Sequence, residues 1–202
     1  MNKNIKSHIS GINGEEVVNN FLKKNLNADW EIYSEPHLNG SKPDIICLNP
    51  KVGIIILEVK NWQLDKYEVN NDGSIKILSN NKTLKYINPL FQIERYKKDL
   101  SNIYCPRLAD NFKAWSVIYC GIVFPFEEEN KITSFLSALG KDHTQQKYVF
   151  SFGKETIKNK NLNLKLPDIN RENSYYMNDK IADDLRSWLI EPDYSKEQKE
   201  NL

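Results

Sequence analysis

Two apolar runs, Pro43-Asp44-Ile45-Ile46-Cys47-Leu48 and Gly53-Ile54-Ile55-Ile56-Leu57-Glu58-Val59-Lys60-Asn61-Trp62, constrain this chain more than any other segment. Their isoleucine content and the intervening Asn49-Pro50-Lys51-Val52 predict two strands of a hairpin with a short turn. If the hairpin is symmetric about Lys51, Ile46 faces Ile56 and Asp44 faces Glu58, with Lys60 diagonally placed on the same side. Ile46, Leu48, Ile54 and Ile56 fall on one face, and Ile45, Cys47, Ile55 and Leu57 on the other. A ribbon apolar on both faces belongs inside a sheet covered from both sides. Three charges then stand at the rim of a buried sheet. Directly opposed carboxylates repel, and one ammonium offsets only part of the cost.

A divalent cation would supply the rest. Two oxygen donors with no nearby His or Cys suit a hard ion, Mg²⁺ first and Mn²⁺ second, rather than zinc. A hard ion beside an amine is what phosphodiester hydrolysis requires: charge at the phosphate oxygens and an activated water. The commoner explanation of an arbitrary Asp and Glu-x-Lys is a strand cap and a surface ion pair. It fits less well where both flanking faces are apolar.

Along the chain, Val17, Val18, Phe21, Leu22 and Leu26 recur at helical spacing and predict a first helix over roughly residues 10–26. Trp30 to Ser34 reads as a strand leading into the hairpin. Residues 67–78 hold two short runs joined by Asn-Asp-Gly, which predicts a side ribbon. Asn88-Pro89 supplies an N-cap and a first-position proline for a helix running to Leu100. The run from Trp115 to Pro125 predicts a central strand, residues 131–139 a short helix, and Lys147 to Phe152 a further strand. Residues 154–173, polar and rich in Asn and Lys, predict a loop before a last amphipathic helix from about Asn178 to Ile190. The order implies an α/β architecture, a mixed sheet with helices on both faces.

With 202 residues the chain is expected to form one domain, over residues 1–190, with a core that needs no disulfide. Its net charge of +1 announces no global affinity for nucleic acid, so any such partner must be held by local clusters. Cys47, Cys105 and Cys120 lack any C-x-x-C or Cys/His pairing and read as buried thiols in a reducing cytoplasm. The polar start and the lack of a long apolar run argue against secretion and membrane insertion.

Gly11-x-x-Gly14-Glu15 opening a helix, Pro43-Asp44 beginning a strand, Glu58-Val59-Lys60-Asn61 ending the next, and Asn88-Pro89-x-x-Gln92 opening a later helix together resemble the NERD domain. This is the nuclease-related branch of the PD-(D/E)XK, or restriction-endonuclease-like, nucleases, and the resemblance spans roughly residues 11–125. It implies an αβββαβ core and a Mg²⁺-dependent phosphodiesterase acting on DNA. It implies further that Asp44, Glu58 and the carbonyl of Val59 hold the ion and that Lys60 assists the attacking water. Glu15 would join the metal site directly or through water, and Gln92 would orient substrate or water. The residues alone leave alternatives: Glu15 as compensation of the helix dipole, a role Glu16 fills equally, and Gln92 as a solvated first-turn side chain.

Arg95, Lys97 and Lys98 form a basic run on the Gln92 helix, and Lys154, Lys158, Lys160 and Lys165 lie in the expected loop. Either set could hold a phosphate backbone or be a solvated surface. Tyr86, Phe91 and Tyr96 read as core or rim aromatics rather than base-stacking platforms. Residues 191–202 turn polar, like the tails that join nuclease domains of this kind to helicase or ATPase modules. The expectation is a nuclease-helicase serving in DNA repair or phage defence, with any ATP use outside these residues, since no Gly-x-x-x-x-Gly-Lys-Ser/Thr occurs. The rival expectation is a catalytically silent DNA-binding or docking module. A zinc or nucleophile-based hydrolase finds no motif, because His8, His37 and His143 are isolated.

Overall fold

The structure, a computed structural model, describes residues 13–36, 41–79, 82–84, 88–108, 112–140, 149–166, 169 and 171–189, of which 82–84 and 112–114 only in their backbone. Gly11, the expected helix start at residue 10, Tyr86, the three histidines, Lys147, Tyr148, Ile190 and the 191–202 tail lie outside these residues.

Helix α1 (Gly14–Asn25) is followed by strands β1 (Glu31–Ser34), β2 (Ile45–Asn49) and β3 (Gly53–Val59). A separate small sheet then holds β4 (Tyr67–Val69), β5 (Ile75–Ile77) and β6 (Lys82–Leu84). The expected two-stranded ribbon thus carries a third strand. The chain continues through α2 (Pro89–Asp99), β7 (Ile118–Val123), α3 (Glu129–Leu139), β8 (Val149–Phe152), α4 (Lys154–Asn159) and α5 (Asp179–Leu189). The main sheet has the order β1-β2-β3-β7-β8, antiparallel from β1 to β3 and parallel from β3 to β8. This is a mixed α/β sheet in which α1, β1, β2, β3, α2 and β7 supply the αβββαβ order.

The hairpin register is the one the sequence dictates. Ile46 pairs with Ile56 and Asn49 with Gly53, which leaves Lys51 at the centre of the turn. Asn49 fixes that turn, its side-chain oxygen accepting the N–H groups of Lys51 at 2.9 Å and Val52 at 3.2 Å. Every residue of β2 and β3 is buried. Ile46, Leu48, Ile54 and Ile56 join one core cluster with Leu90 and Ile93 of α2, Phe135 of α3 and Leu185 of α5. Ile45, Cys47, Ile55 and Leu57 join the other with Val18, Phe21 and Leu22 of α1.

The predicted loop over 154–173 is corrected in its first half. Residues 154–159 form α4 and Leu162–Leu164 a 3₁₀ turn. Leu162, Leu166 and Ile169 complete the cover of the α1 face, which α1 alone is too narrow to close. Lys154 and Lys165 pair with Glu128 and Glu129 at 2.8 and 2.6 Å, so they brace this segment against the start of α3. The three cysteines are free and buried. No described helix is long and apolar enough to cross a membrane.

Ile56 is 1 % exposed at the centre of the strand that joins both halves of the sheet. Ile56→Ala is expected to cost about 2–5 kcal/mol and Ile56→Val about 0.5–1.5 kcal/mol. Urea denaturation of the two variants checks both values.

Candidate active site

The β2–β3 hairpin carries its charges to the end of the sheet where β1 and α1 also arrive. One step beyond the Ile45–Leu57 pair, Asp44 stands opposite Glu58, and its Oδ2 accepts the Val59 N–H at 2.6 Å. Glu58 continues the face of Ile54 and Ile56, so it points into the layer between β3 and α2 and is only 2 % exposed. A carboxylate so buried requires partners. Lys60 gives one: its ammonium bonds Glu58 Oε1 and also donates to Gln92 Oε1 at 3.0 Å. Glu58 Oε2 has no hydrogen-bond partner among the described residues.

Gln92 is held as well as holding. Its amide N–H donates to the Tyr96 hydroxyl at 2.8 Å, and that hydroxyl donates to the Lys42 carbonyl at 2.8 Å, two residues before Asp44. A chain of hydrogen bonds therefore runs from the start of β2 through α2 to the ammonium at the end of β3. Each member orients the next, so the Gln92 amide has one arrangement available. Lys60 is fixed from a further side, with Nζ 5.7 Å from the centroid of the Trp62 ring. Trp62 in turn stacks on Tyr67 of β4, ring centroids 4.9 Å apart. The side sheet is thus part of the scaffold that aims Lys60.

Helix α1 reaches the rim through Gly14. A Cβ at this position would overlap the Asn61 side chain and crowd Pro125, so only glycine lets the helix start seat against the ends of β3 and β7. Asn13 caps the helix by accepting the Glu15 N–H at 3.1 Å. Glu15 is half-buried and lies close enough to Asp44 and Glu35 to feel both charges, whereas Glu16 faces solvent. The two glutamates are therefore not equivalent, and the geometry favours Glu15 for a role at the rim.

The electrostatics are those of a site short of positive charge. Burial, then the Glu58 charge, pushes the Asp44 carboxyl up to about 7, against the opposing pull of the Val59 N–H and Lys60. Burial also raises Glu58, with Lys60 opposing, and burial followed by Asp44 and Glu35 raises Glu15. The donor set fits a hard cation: carboxylate oxygens, one of them buried without a partner among the described residues, and no nitrogen or sulfur ligand among those residues. Among the described residues no three His, Cys, Asp or Glu side chains converge in metal-holding geometry. Asp44 and Glu58 oppose each other at the ends of β2 and β3, and Glu15 lies further out, within electrostatic reach of Asp44.

The profile of the nuclease-related domain, NERD, matches residues 10–152. The chain belongs to this family. Searches of curated proteins and of solved structures each gave no match. The NERD match ends at the last residue of β8, so the whole five-stranded sheet and the rim charges fall inside it. The mixed sheet with its flanking helices is consistent with the PD-(D/E)XK nuclease fold.

Of the five side chains expected from sequence, Glu58, Lys60 and Gln92 are joined by hydrogen bonds, Asp44 stands opposite Glu58 and bonds the Val59 N–H, and Glu15 lies within electrostatic reach of Asp44 without a direct contact to the other four. Three residues gain a place that sequence reading did not give them. Tyr96 is a core aromatic whose hydroxyl reaches the site. Trp62 flanks Lys60. Glu35 has a left-handed backbone, φ 49°, and donates its N–H to the Asp44 carbonyl at 2.7 Å. The Gln92-x-x-x-Tyr96 spacing, one helical turn, could have revealed the first. The basic run is corrected in part: Lys97 turns inward and donates to the Ile118 carbonyl at 3.1 Å, leaving Arg95 and Lys98 outside.

A raised folded-state pKa means that Asp44 favours the fold while protonated. That contribution is complete below about pH 4, the unfolded value, and is lost as the pH rises through about 7. Asp44→Asn keeps an oxygen for the Val59 N–H and removes the charge. In EDTA at pH 8 its thermal midpoint is expected to exceed wild type by roughly 4–8 °C, equivalent to about 2 kcal/mol in a chain this size. Thermal scans across pH 4–8 should show a flatter profile for the variant.

Proposed function

We propose that this NERD domain is a Mg²⁺-dependent deoxyribonuclease that hydrolyses DNA phosphodiester bonds, with Mn²⁺ able to substitute. The observation that carries the reading is Glu58: a carboxylate 2 % exposed, one oxygen without a hydrogen-bond partner among the described residues, set opposite Asp44 and beside an ammonium. A module that only docked or bound DNA would gain nothing from that arrangement. It would carry the cost of burying it.

Asp44, Glu58 and the Val59 carbonyl would hold the ion, with Glu15 joining directly or through water. When bound, the ion supplies charge at a non-bridging phosphate oxygen and lowers the pKa of a coordinated water. The remaining work belongs to the chain. Lys60 holds the attacking water or the negative charge that develops at phosphorus, at a point set by Glu58, Gln92 and Trp62. Gln92 offers its amide to water or phosphate while Tyr96 keeps that amide from rotating. Asp44, bonded to the Val59 N–H, keeps the end of β2 in register with β3, so the donors stay together when the ion exchanges.

The family suggests a wider setting in the cytoplasm, with the domain joined to or associated with a helicase or ATPase module that delivers DNA in repair or phage defence. Nothing in the fold of the described residues requires a membrane.

Linear, nicked and circular DNA should be cut in Mg²⁺ or Mn²⁺ and not in EDTA. Lys60→Ala and Asp44→Ala should each lose at least about 100-fold in rate, the scale on which removal of one preorganised charge acts. Gln92→Ala should lose less, since Lys60 keeps Glu58. Cleavage in EDTA, or full activity in both Lys60→Ala and Asp44→Ala, rules the mechanism out. Metal-independent DNA binding without cleavage, under every loading condition tried, favours the docking-module reading.

A further inference from the structure

Three polar side chains of α2, Gln92, Tyr96 and Asp99, recur at i, i+4 and i+7 and so fall on one stripe of the helix. Gln92 meets the Lys60 ammonium and Tyr96 the Lys42 carbonyl. Asp99 continues the stripe, and its Oδ2 accepts the hydroxyl of Ser41. Ser41 is 3 % exposed, so that hydroxyl needs a partner, and a carboxylate is the stronger kind of acceptor. Tyr104, also buried, closes the same corner, its hydroxyl beside Ser41 and near enough to Asp99 to feel the charge. The other partner of Asp99 is Arg95 at 3.6 Å, an exposed i,i+4 pair of the kind that contributes little.

The chain from Ser41 to Asp44 runs back along this stripe. Three residues reach at most about 10 Å when extended, and the seven from Asp99 to Gln92 rise about 10 Å along the helix axis. A strap of that length has little slack: Ser41 lies against Asp99, Lys42 against Tyr96, and Asp44 arrives at the end of β3, where Lys60 joins Glu58 to Gln92. We propose that Ser41 and Asp99 are positioning residues of the candidate site, whose bond anchors the start of this strap and so fixes where Asp44 presents its carboxylate to the ion. The proposal rests on the reading of Asp44 as an ion ligand given above. It adds to that site two residues that none of the sequence motifs contains.

Asp44 needs holding. It stands opposite the like charge of Glu58, and directly opposed carboxylates push apart. The Val59 N–H restrains one carboxylate oxygen, and the Glu35 N–H restrains the Asp44 carbonyl from the β1 side at 2.7 Å. Neither fixes the chain that leads into Asp44. A strap held to α2 only at the Lys42 carbonyl can pivot about that bond, whereas a second bond one residue earlier leaves it a single course. With Tyr96, Glu35 and Val59 still in place, loss of the Ser41 anchor loosens the carboxylate without dismantling the rim.

The test is Mn²⁺ binding to the full chain without DNA, read by electron paramagnetic resonance well below the thermal midpoint of every variant. Ser41→Ala and Asp99→Ala are each expected to weaken Mn²⁺ binding about 10-fold, the lower end of what outer partners of metal ligands supply. The double variant should lose no more than either single one, because both remove the same bond. Asp99→Asn keeps an oxygen for the Ser41 hydroxyl and should retain most of the affinity. Ile181→Val, a change in the buried face of α5, should lower the thermal midpoint and leave Mn²⁺ binding as it is, which separates positioning from stability. Where Ser41→Ala does not fold, Asp99→Ala decides, since that side chain is 26 % exposed. Wild-type affinity in folded Asp99→Ala, additive losses in the double variant, an equal loss in Ile181→Val, or a wild type that binds no Mn²⁺ overturns the proposal. Weakened binding in the variants of a chain that cuts no DNA upholds the anchor and overturns the nuclease reading. Cleavage in Mg²⁺ with Mn²⁺ affinity unchanged in both variants does the reverse.

Discussion

The structure turns on the burial of Glu58 at the end of an otherwise apolar strand. β3 is covered along its whole length, and the parity that sends Ile54 and Ile56 under α2 sends Glu58 there too. No rotation of the strand can expose the carboxylate without turning those isoleucines to water, because a one-residue slip exchanges the two faces. The charge is therefore held in place by the hydrophobic effect acting on its neighbours. Lys60 relieves it at one oxygen and leaves the other without a hydrogen-bond partner among the described residues. Apolar packing supplies the energy, and the site is where part of that energy remains as unsatisfied charge.

That dependence explains what the sequence made legible. The hairpin could be registered from the alternation of isoleucines about Lys51, and register alone placed Asp44 opposite Glu58. Period-two patterning is a local property, and two strands joined by three residues have few other ways to pair. Glu15 and Gln92 were visible only through the family motif, since nothing local says that two helices far apart in the chain converge on one rim. The structure supplies the physical reasons: Gly14 admits the start of α1 against Asn61, and Tyr96 ties α2 to the Lys42 carbonyl.

The misreadings share a cause. Residues 154–173 look like a loop because their apolar members are sparse, yet Leu162, Leu166 and Ile169 meet a gap in the cover of the sheet that only tertiary structure defines. Lys97 looks like its neighbours in a basic run, but helix phase sends it toward β7 while Arg95 and Lys98 stay outside. Composition averages over such positions. Helical phase and the shape of the opposing surface decide them.

The sheet topology gives the rim its direction. β3 and β7 run parallel, so their carboxyl ends emerge side by side, and the Lys60 N–H donates to the Val123 carbonyl at 2.8 Å just where both strands finish. Ligands of open α/β sheets gather beyond such carboxyl ends, because the connecting chains there diverge and leave a crevice. Here the chain leaving β3 passes through Trp62 into the side sheet, and the chain leaving β7 passes through Pro125, against which Gly14 of α1 is seated. On the other side of β3, the antiparallel neighbour β2 starts where β3 ends and brings Asp44 to the same end of the sheet. An antiparallel strand beside a parallel pair is thus what lets one carboxylate come from a strand start and the other from a strand end. An all-parallel sheet would have put them at opposite edges.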